Sequence, residues 1–162
     1  MTFRHHARKP RQNWIVVADR AHARILSTEK PDLSDLHEIK ALIHPEGASH
    51  PRDVLTDRPG RFPGNGGESP IAERETDFRH QTAHDFAVEV VAALEDGRNH
   101  QRFGQLVLIA PPLFLGVLRE HFSGPLQKLV KADFAKELVQ SSLDEIANFV
   151  RHEMQAKSTT VS

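Results

Sequence analysis

Five consecutive residues, Leu106 to Ala110, carry only apolar side chains. A strand with this composition is stable only when both of its faces are covered, because neither face presents polar groups to water. Pro111 and Pro112 follow the run, and proline is favoured in the first turn of a helix. The run therefore predicts the central strand of a sheet with helices on both faces, which is the layered arrangement of an α/β domain.

Three earlier segments have the length and the β-branched content of strands, namely residues 14–18, 23–27 and 37–43. The polar stretch between the first two segments, residues 19–22, predicts a hairpin turn. The third segment ends before a His-Pro pair, where proline cannot donate a hydrogen bond to a neighbouring strand. We therefore expect three antiparallel strands in meander order at the start of the domain.

Helices are predicted where apolar residues recur at three- and four-residue spacing. This pattern runs from Ala83 to Leu94, after which Gly97 marks a helix stop. A second stripe, Ile146 to Met154, follows a Ser-x-x-Glu capping box that begins at Ser142. A shorter helix is predicted from Leu113 to Phe122, directly after the two prolines.

The segment from Leu126 to Phe134 fits either a strand or a short helix. We assign it to a strand because the α/β pattern requires one at this point. The order of elements then predicts a mixed sheet, with three antiparallel strands followed by parallel strands, flanked by helices. An RNase H-like layout is the nearest named architecture.

The composition fits one domain and excludes several kinds of chemistry. At 162 residues, with 21 Lys and Arg against 22 Asp and Glu, the chain suits a single core and carries almost no net charge. It has no cysteine, which excludes disulfides, thiolate nucleophiles and sulfur ligands. No apolar run approaches the roughly 20 residues of a membrane helix, and the run after the basic start is too short for a signal peptide. We therefore expect a cytoplasmic protein without membrane contact.

The domain boundaries follow from changes in composition. Residues 1–12 are basic and contain no acid, which predicts a flexible arm, and the polar residues 157–162 predict a loose tail. Residues 13–156 form the single predicted domain. Within it, residues 44–78 are predicted to be a long loop, since five of the ten prolines lie between positions 44 and 70. Loops of this length are usually functional or disordered.

Two groups of side chains suggest metal chemistry without establishing it. His80 and His84 lie four residues apart on a predicted helix, but the glutamate of the H-E-x-x-H zinc motif is missing. Surface histidines are the preferred interpretation, and we predict no metal and no other cofactor. A two-metal nuclease would need paired carboxylates, and the available ones are Asp19, Asp53, Asp57, Glu73 and Glu75. Nothing in the sequence indicates that any two of them meet, and Asp19 is better explained as a turn residue.

Several segments together resemble a known bacterial family. They are residues 14–25, residues 57–62 with the sequence Asp-Arg-Pro-Gly-Arg-Phe, residues 108–112 with the sequence Leu-Ile-Ala-Pro-Pro, and residues 115–119. On these segments the chain is similar to the host attachment protein family, over roughly residues 13–152. The resemblance implies a single α/β domain over nearly the whole chain.

The resemblance also implies a working tip. The family is similar to the middle domain of the archaeal and eukaryotic class-one release factors, in which a Gly-Gly-Gln loop enters the ribosome and helps water to hydrolyse peptidyl-tRNA. In this chain the loop reads Gly66-Gly67-Glu68, which are the candidate catalytic residues. The glutamate places an anion where the family pattern has a neutral amide, so a peptidyl-tRNA hydrolase-like activity is not expected, although the backbone N–H of Glu68 is retained.

Arginines around this loop are candidate RNA contacts, because cationic side chains bind phosphates: Arg52, Arg58, Arg61, Arg74 and Arg79. Acidic residues are interleaved with them, so the patch is nearly neutral. Two functions remain open. The chain is either a non-enzymatic or weakly active module that associates with RNA or the ribosome, or a protein-interaction or regulatory factor that is indirectly required for attachment to host cells and does not contact RNA.

Overall fold

The computed structural model describes residues 12–45 and 70–160. In the first part, three strands follow one another: β1 (Asn13–Ala18), β2 (His22–Thr28) and β3 (His37–Ile43). The second part contains helix α1 (Pro70–Asn99), strand β4 (Gln105–Ala110), helices α2 (Pro112–His121) and α3 (Gly124–Leu129), strand β5 (Val130–Ala135) and helix α4 (Leu143–Thr160). Strands and helices therefore follow each other in the order that an α/β domain requires.

The strands form one mixed sheet in the order β3-β2-β1-β4-β5. β1 pairs antiparallel with β2, where Val16 lies opposite Ile25, and β2 pairs antiparallel with β3. On its other side β1 runs parallel to β4, where Val16 lies opposite Leu108, and β4 runs parallel to β5. The prediction of three antiparallel strands followed by parallel strands is confirmed.

Each face of the sheet has its own apolar core. Leu106 and Leu108 of β4 face one side, where they pack with Phe86 and other residues of α1, α2 and α3. Val107 and Ile109 face the other side, where they pack with α4. These four side chains of β4 are at most 6% exposed. The strand is covered on both faces, as its uniformly apolar sequence requires.

The assignment of Leu126 to Phe134 to a strand is wrong in its first half. Gly124–Leu129 is helical, and only Val130–Ala135 is a strand. Ser123 caps the helix, because its hydroxyl accepts a hydrogen bond from the backbone N–H of Leu126 at 3.1 Å. A serine cap followed by Gly-Pro therefore starts a helix here before the chain extends into the sheet.

The predicted loop of residues 44–78 is too long at its carboxyl end. α1 begins at Pro70, so residues 70–78 are helical. Proline in the first turn and Glu73 near the positive end of the helix dipole both favour this start. Although α1 has 30 residues, no helix in the described part of the chain combines the length and the apolar character needed to cross a membrane.

The predicted tail is also shorter than expected. α4 continues to Thr160, so residues 157–160 are helical, and Lys157 in its last turn complements the helix dipole. Residues 46–69 and most of the predicted basic arm lie outside the described residues. The last residue of that arm, Gln12, is described, and its side chain hydrogen-bonds Ser27 and Glu29.

Gly97 does not end α1. The helix continues through Asn99, and the left-handed residue after it is Gln101, with φ 54°. The backbone N–H of Arg102 returns to the carbonyl of Gly97 at 2.9 Å, which closes the helix end. Gly97 instead lies against the indole of Trp14, where a Cβ atom would be only 2.4 Å from the nearest ring carbon. A close packing contact, and not a chain reversal, therefore requires glycine at this position.

Asp35 holds the loop between β2 and β3. Its carboxylate accepts hydrogen bonds from the hydroxyl of Thr28 and from the backbone N–H groups of Glu29 (2.8 Å) and Lys30 (3.3 Å). The Thr28 hydrogen bond is the largest of the contacts that lower the pKa of Asp35 from 3.8 to about 2. The ionised carboxylate therefore stabilises the folded state.

We expect Asp35→Asn to lower the free energy of unfolding at pH 7 by about 1–2 kcal/mol, because an amide accepts through only one oxygen. Folding lowers the pKa of Asp35, so its contribution is complete above pH 3.8 and is lost as the pH falls towards 2. Urea unfolding should therefore show a clear difference between wild type and variant at pH 7 and a small one near pH 2. An equal difference at both pH values would contradict this role.

Candidate functional site

A broad concave surface lies at the carboxyl ends of β1 and β4. Ligands of open α/β sheets bind at this end of parallel strands. The carboxyl-end cleft has a volume of about 1170 Å³ and lies between the turn after β1, the first turns of α2 and the middle of α1. Its polar and charged lining side chains are Asp19, Arg20, His22, Arg79, His80, His84, Glu120, Glu137 and Gln140.

The turn of residues 19–22 is held by Asp19. One oxygen of its carboxylate, Oδ1, accepts hydrogen bonds from the backbone N–H groups of Ala21 (2.8 Å) and His22 (2.7 Å). The Asp19 N–H donates to the carbonyl of His22 at 2.8 Å, and the imidazole Nδ1 of His22 lies 3.6 Å from the same carboxylate. This geometry agrees with the interpretation of Asp19 as a turn residue and fixes the neighbouring Arg20 at the edge of the cleft.

We expect Asp19→Ala to lower the free energy of unfolding by about 1–2 kcal/mol, because two backbone donors lose their acceptor. Asp19→Asn is the matched control, since its amide oxygen can still accept both hydrogen bonds, and its stability should stay within about 0.5 kcal/mol of wild type. Urea unfolding at neutral pH measures both variants. If the two substitutions destabilise equally, the charge of Asp19 is what matters and the turn role is wrong.

The other carboxylates considered for a nuclease do not join Asp19 in the described structure. Asp53 and Asp57 lie outside the described residues. Glu73 and Glu75 lie in the first turns of α1, and neither lines the cleft. Within residues 12–45 and 70–160, no three His, Asp or Glu side chains are grouped so that they could hold a metal ion.

His84 pairs with a histidine from another helix. Its Nδ1 lies 3.1 Å from Nε2 of His121, and the two rings meet edge to face with centroids 4.3 Å apart. His80 lines the cleft one turn earlier on α1. Sequence spacing identified His80 and His84 but missed His121, because His84 and His121 are 37 residues apart in the chain and lie on different helices. The pair connects α1 to α2 beside the cleft.

The charges of the cleft are mixed. Its described lining contains two arginines, three carboxylates and three histidines. The two arginines are Arg20 and Arg79, and Arg79 is exposed on α1. Leu113, at the start of α2, is 88% exposed at the edge of the same cleft. The cleft therefore combines cations, anions and one protruding apolar side chain.

Only part of the predicted site can be placed. Arg74 and Arg79 are both exposed on α1, and only Arg79 lines the cleft. The predicted tip residues Gly66, Gly67 and Glu68 lie outside the described residues, as do the candidate RNA contacts Arg52, Arg58 and Arg61.

The first third of α1 lies on the surface. Between Ile71 and Gln81 no described side chain is buried, and the first buried residues along the helix are Thr82 and Phe86. A helix of 30 residues is about 45 Å long, so roughly 18 Å of α1 precedes its buried part. This exposed stretch follows Glu68 almost directly in the sequence.

Two arginines in the resemblance segments have structural partners. Arg24 donates to the carbonyls of Val139 (3.1 Å) and Ser141 (2.6 Å), and it pairs with Glu38 at 2.6 Å. It therefore ties β2 to the segment before α4. Arg119 of α2 forms an ion pair with the carboxylate of Asp133 in β5. These contacts were not predicted, because each partner is at least 14 residues away in the chain.

Comparison with known proteins identifies a matching family and relatives that match over part of their own length. The family model described as "Protein required for attachment to host cells" matches residues 14–150. The "Uncharacterized protein RP470" of Rickettsia prowazekii (strain Madrid E) is 33% identical over 76 residues, which are 46% of this chain and 49% of that protein. The match therefore spans about half the length of that curated relative.

Two solved structures are similar over 94% of this chain and 40% of their own chains. The first is the crystal structure of the archaeal translation termination factor aRF1, with a TM-score of 0.46 and 12% identity. The second is described as "Archaeal protein", with a TM-score of 0.45 and 15% identity.

Proposed function

The chain belongs to the family of proteins required for attachment to host cells, and we propose that it is a cytoplasmic binding module that associates with the ribosome through RNA and has little or no catalytic activity. The observation that carries the proposal is the exposed first third of α1. This helical stretch follows the Gly66-Gly67-Glu68 segment in the chain and brings Arg79 to the carboxyl-end cleft.

The exposed stretch of α1 suits an element that meets another macromolecule. Its described side chains from Ile71 to Gln81 leave the helix surface accessible, while Phe86 and later residues anchor the same helix in the core. A helix anchored at one end gives a rigid support to the segment that precedes it. We therefore assign the contact with RNA to this helix and to residues 66–68, which resemble the Gly-Gly-Gln tip of release factors.

The carboxyl-end cleft supplies the second part of the proposed surface. Arg20 is positioned by the Asp19 turn, and Arg79 lies across the cleft on α1. Arginine side chains bind phosphate oxygens through their fixed set of donors. The same lining carries three carboxylates against these two arginines, so the proposed RNA contact depends on a few positioned arginines and not on a broad basic surface.

Glu68 is the reason for proposing binding without hydrolysis. An anionic side chain among RNA phosphates raises the local negative charge and does not present the neutral amide found in the release-factor tip. Glutamate keeps the backbone N–H that glutamine would also supply at this position. We therefore expect peptidyl-tRNA release by the wild type to be at background level.

The direct test is cosedimentation with 70S ribosomes through a sucrose cushion. Wild type should be recovered with the ribosomes, and Arg79→Glu should bind about tenfold more weakly, because a phosphate contact is replaced by repulsion. Lys128→Glu is the matched control, since it makes the same charge change at an exposed position of α3, away from the cleft lining. It should bind like wild type.

Leu113 favours a second candidate function. A leucine that is 88% exposed beside a cleft of mixed charge suits a protein partner better than a phosphate backbone. If the chain is instead a protein-interaction or regulatory factor, wild type will stay in the supernatant in the ribosome experiment. Recovery with ribosomes that is equal for wild type and Arg79→Glu would likewise argue against the proposed RNA surface.

A further inference from the structure

A second concave surface lies at the opposite end of the sheet, on the face covered by α4. This amino-end groove runs between the carboxyl half of α4 and the loop of residues 29–36, and its volume is about 850 Å³. Sites for small molecules usually measure about 300–1,000 Å³. The floor is apolar, because Ile15 of β1 and Val107 of β4 line it. The groove is separate from the carboxyl-end cleft and shares no lining residue with it.

Two cationic side chains line the groove on one side, Lys131 of β5 and Arg151 of α4. Within the described part of the chain, neither forms an ion pair. The guanidinium of Arg151 donates one hydrogen bond from Nη1 to the side-chain oxygen of Asn148 at 2.8 Å, while its Nε is buried without a hydrogen-bond partner. The buried Nε is closed to a ligand, but Nη2 forms no hydrogen bond within the described residues, so it can donate to an anion in the groove.

One carboxylate, Asp32, also lines the groove, on the loop side. It accepts a hydrogen bond from the backbone N–H of Ser34 at 2.9 Å, which is the main cause of its lowered pKa, and the charges of Lys30 and Arg151 lower that pKa further. It forms no ion pair in the described part of the chain. The described lining therefore contains two cations and one anion. The charge on the side formed by β5 and α4 complements a single negative group.

The loop that forms one wall of the groove is held in place by hydrogen bonds within the protein. Asp35 fixes this loop through its hydrogen bonds to the backbone of Glu29 and Lys30. Leu33 in the same loop has φ 61°, a left-handed conformation that costs free energy for a leucine, and its side chain is only 9% exposed. The strained backbone thus places an apolar side chain against the groove, where it extends the apolar floor.

We propose that the amino-end groove binds a medium-chain acyl carboxylate. The carboxylate lies between Lys131 and Arg151, and the hydrocarbon chain lies along Pro31 and Met154, over the buried side chains of Ile15 and Val107. Charge complementarity selects the anionic head, because the described lining has two cations that form no ion pair against one carboxylate, which leaves one net positive charge. The apolar floor selects the chain, since burying each methylene group contributes about 0.8 kcal/mol.

Isothermal titration of the full chain with decanoate below its micellar concentration tests this proposal. Wild type should show saturable binding of one decanoate per chain. Lys131→Gln and Arg151→Gln should each weaken it about tenfold or more, because each removes a charged hydrogen bond to the carboxylate. Lys128→Gln, which removes an exposed charge in α3 outside the groove, should leave the affinity unchanged. Decanol, which has the same chain without the charge, should bind at least about tenfold more weakly than decanoate.

Three results would overturn the proposal. They are the absence of saturable decanoate binding, equal affinity of wild type and both glutamine variants, and equal binding of decanol and decanoate. Lys131 is exposed, so Lys131→Gln should remain folded and keep the test decisive even if Arg151→Gln proves unstable. Because the groove shares no lining residue with the carboxyl-end cleft, ribosome binding and decanoate binding can fail independently.

Discussion

Replacing Gly97 by valine should destabilise the domain by about 3 kcal/mol, because inserting methyl groups into a packed core forces its neighbours apart. A Cβ atom at this position would lie 2.4 Å from Cη2 and 2.6 Å from Cζ3 of Trp14, and 3.1 Å from a ring carbon of Phe103. The two aromatic rings cannot easily move. They are stacked with centroids 4.4 Å apart, and they are 4% and 5% exposed.

Gly116 provides the matched control for Gly97. It also lies inside a helix, α2, but nothing lies within 4 Å of the position that its Cβ would occupy. Gly116→Ala should therefore stabilise the domain by about 0.5–1 kcal/mol through helix propensity alone. Thermal and urea unfolding compare the two. A Gly97→Val variant as stable as wild type would mean that α1 does not pack against Trp14 as described.

Replacing Phe86 by alanine should cost about 3–5 kcal/mol, which is the usual loss for a large aromatic side chain removed from a core. Phe86 is completely buried on the inner face of α1. Its ring stacks with those of His44 at 5.3 Å and Phe114 at 6.0 Å between centroids, so it joins α1 to the end of β3 and to α2. Its loss would leave a cavity where these three elements meet.

Val88→Ala is the control for Phe86→Ala on the same helix. Val88 is 47% exposed, so truncating it should change the free energy of unfolding by no more than about 0.5 kcal/mol. Urea unfolding of both variants gives the comparison. If Phe86→Ala costs less than about 1 kcal/mol, Phe86 is not a core residue and α1 is not anchored to the sheet through it.

Much of the fold could be predicted from local patterns. The apolar run of β4 required cover on both faces, and the structure supplies α1 on one face and α4 on the other. The stripe from Ala83 to Leu94 predicted α1, because its buried residues repeat with the helical period. The same pattern could not show that α1 begins at Pro70, since the first third of the helix is exposed and carries no apolar stripe.

Other errors arose where a distant residue decides the local structure. Gly97 looked like a helix stop, but its role is set by Trp14, which lies in another element of the fold. The partner of His84 is His121 on α2, and the partners of Arg24 include carbonyls more than 100 residues later in the chain. No spacing rule connects such residues. Of the predicted site, Arg79 lines the cleft, while the roles of Gly66, Gly67 and Glu68 stay predictions.

The two concave surfaces differ in the chemistry of their lining residues. The carboxyl-end cleft is formed by turns and helix starts at the end of the sheet where α/β domains bind ligands, and Arg79 of α1 lies in its lining. The amino-end groove has an apolar floor, one carboxylate and two cations that form no ion pair in the described structure. The proposed ribosome association and the proposed carboxylate binding are therefore assigned to opposite ends of one sheet.

The central claim is that residues 66–68 meet ribosomal RNA. Because the chain has no cysteine, Glu68→Cys can carry a single iron–EDTA probe that cleaves nearby RNA, and Lys128→Cys on α3 gives a matched control. With 70S ribosomes, we expect localised cleavage of ribosomal RNA from position 68 and none from position 128. No cleavage from position 68, or the same pattern from both positions, would contradict the account.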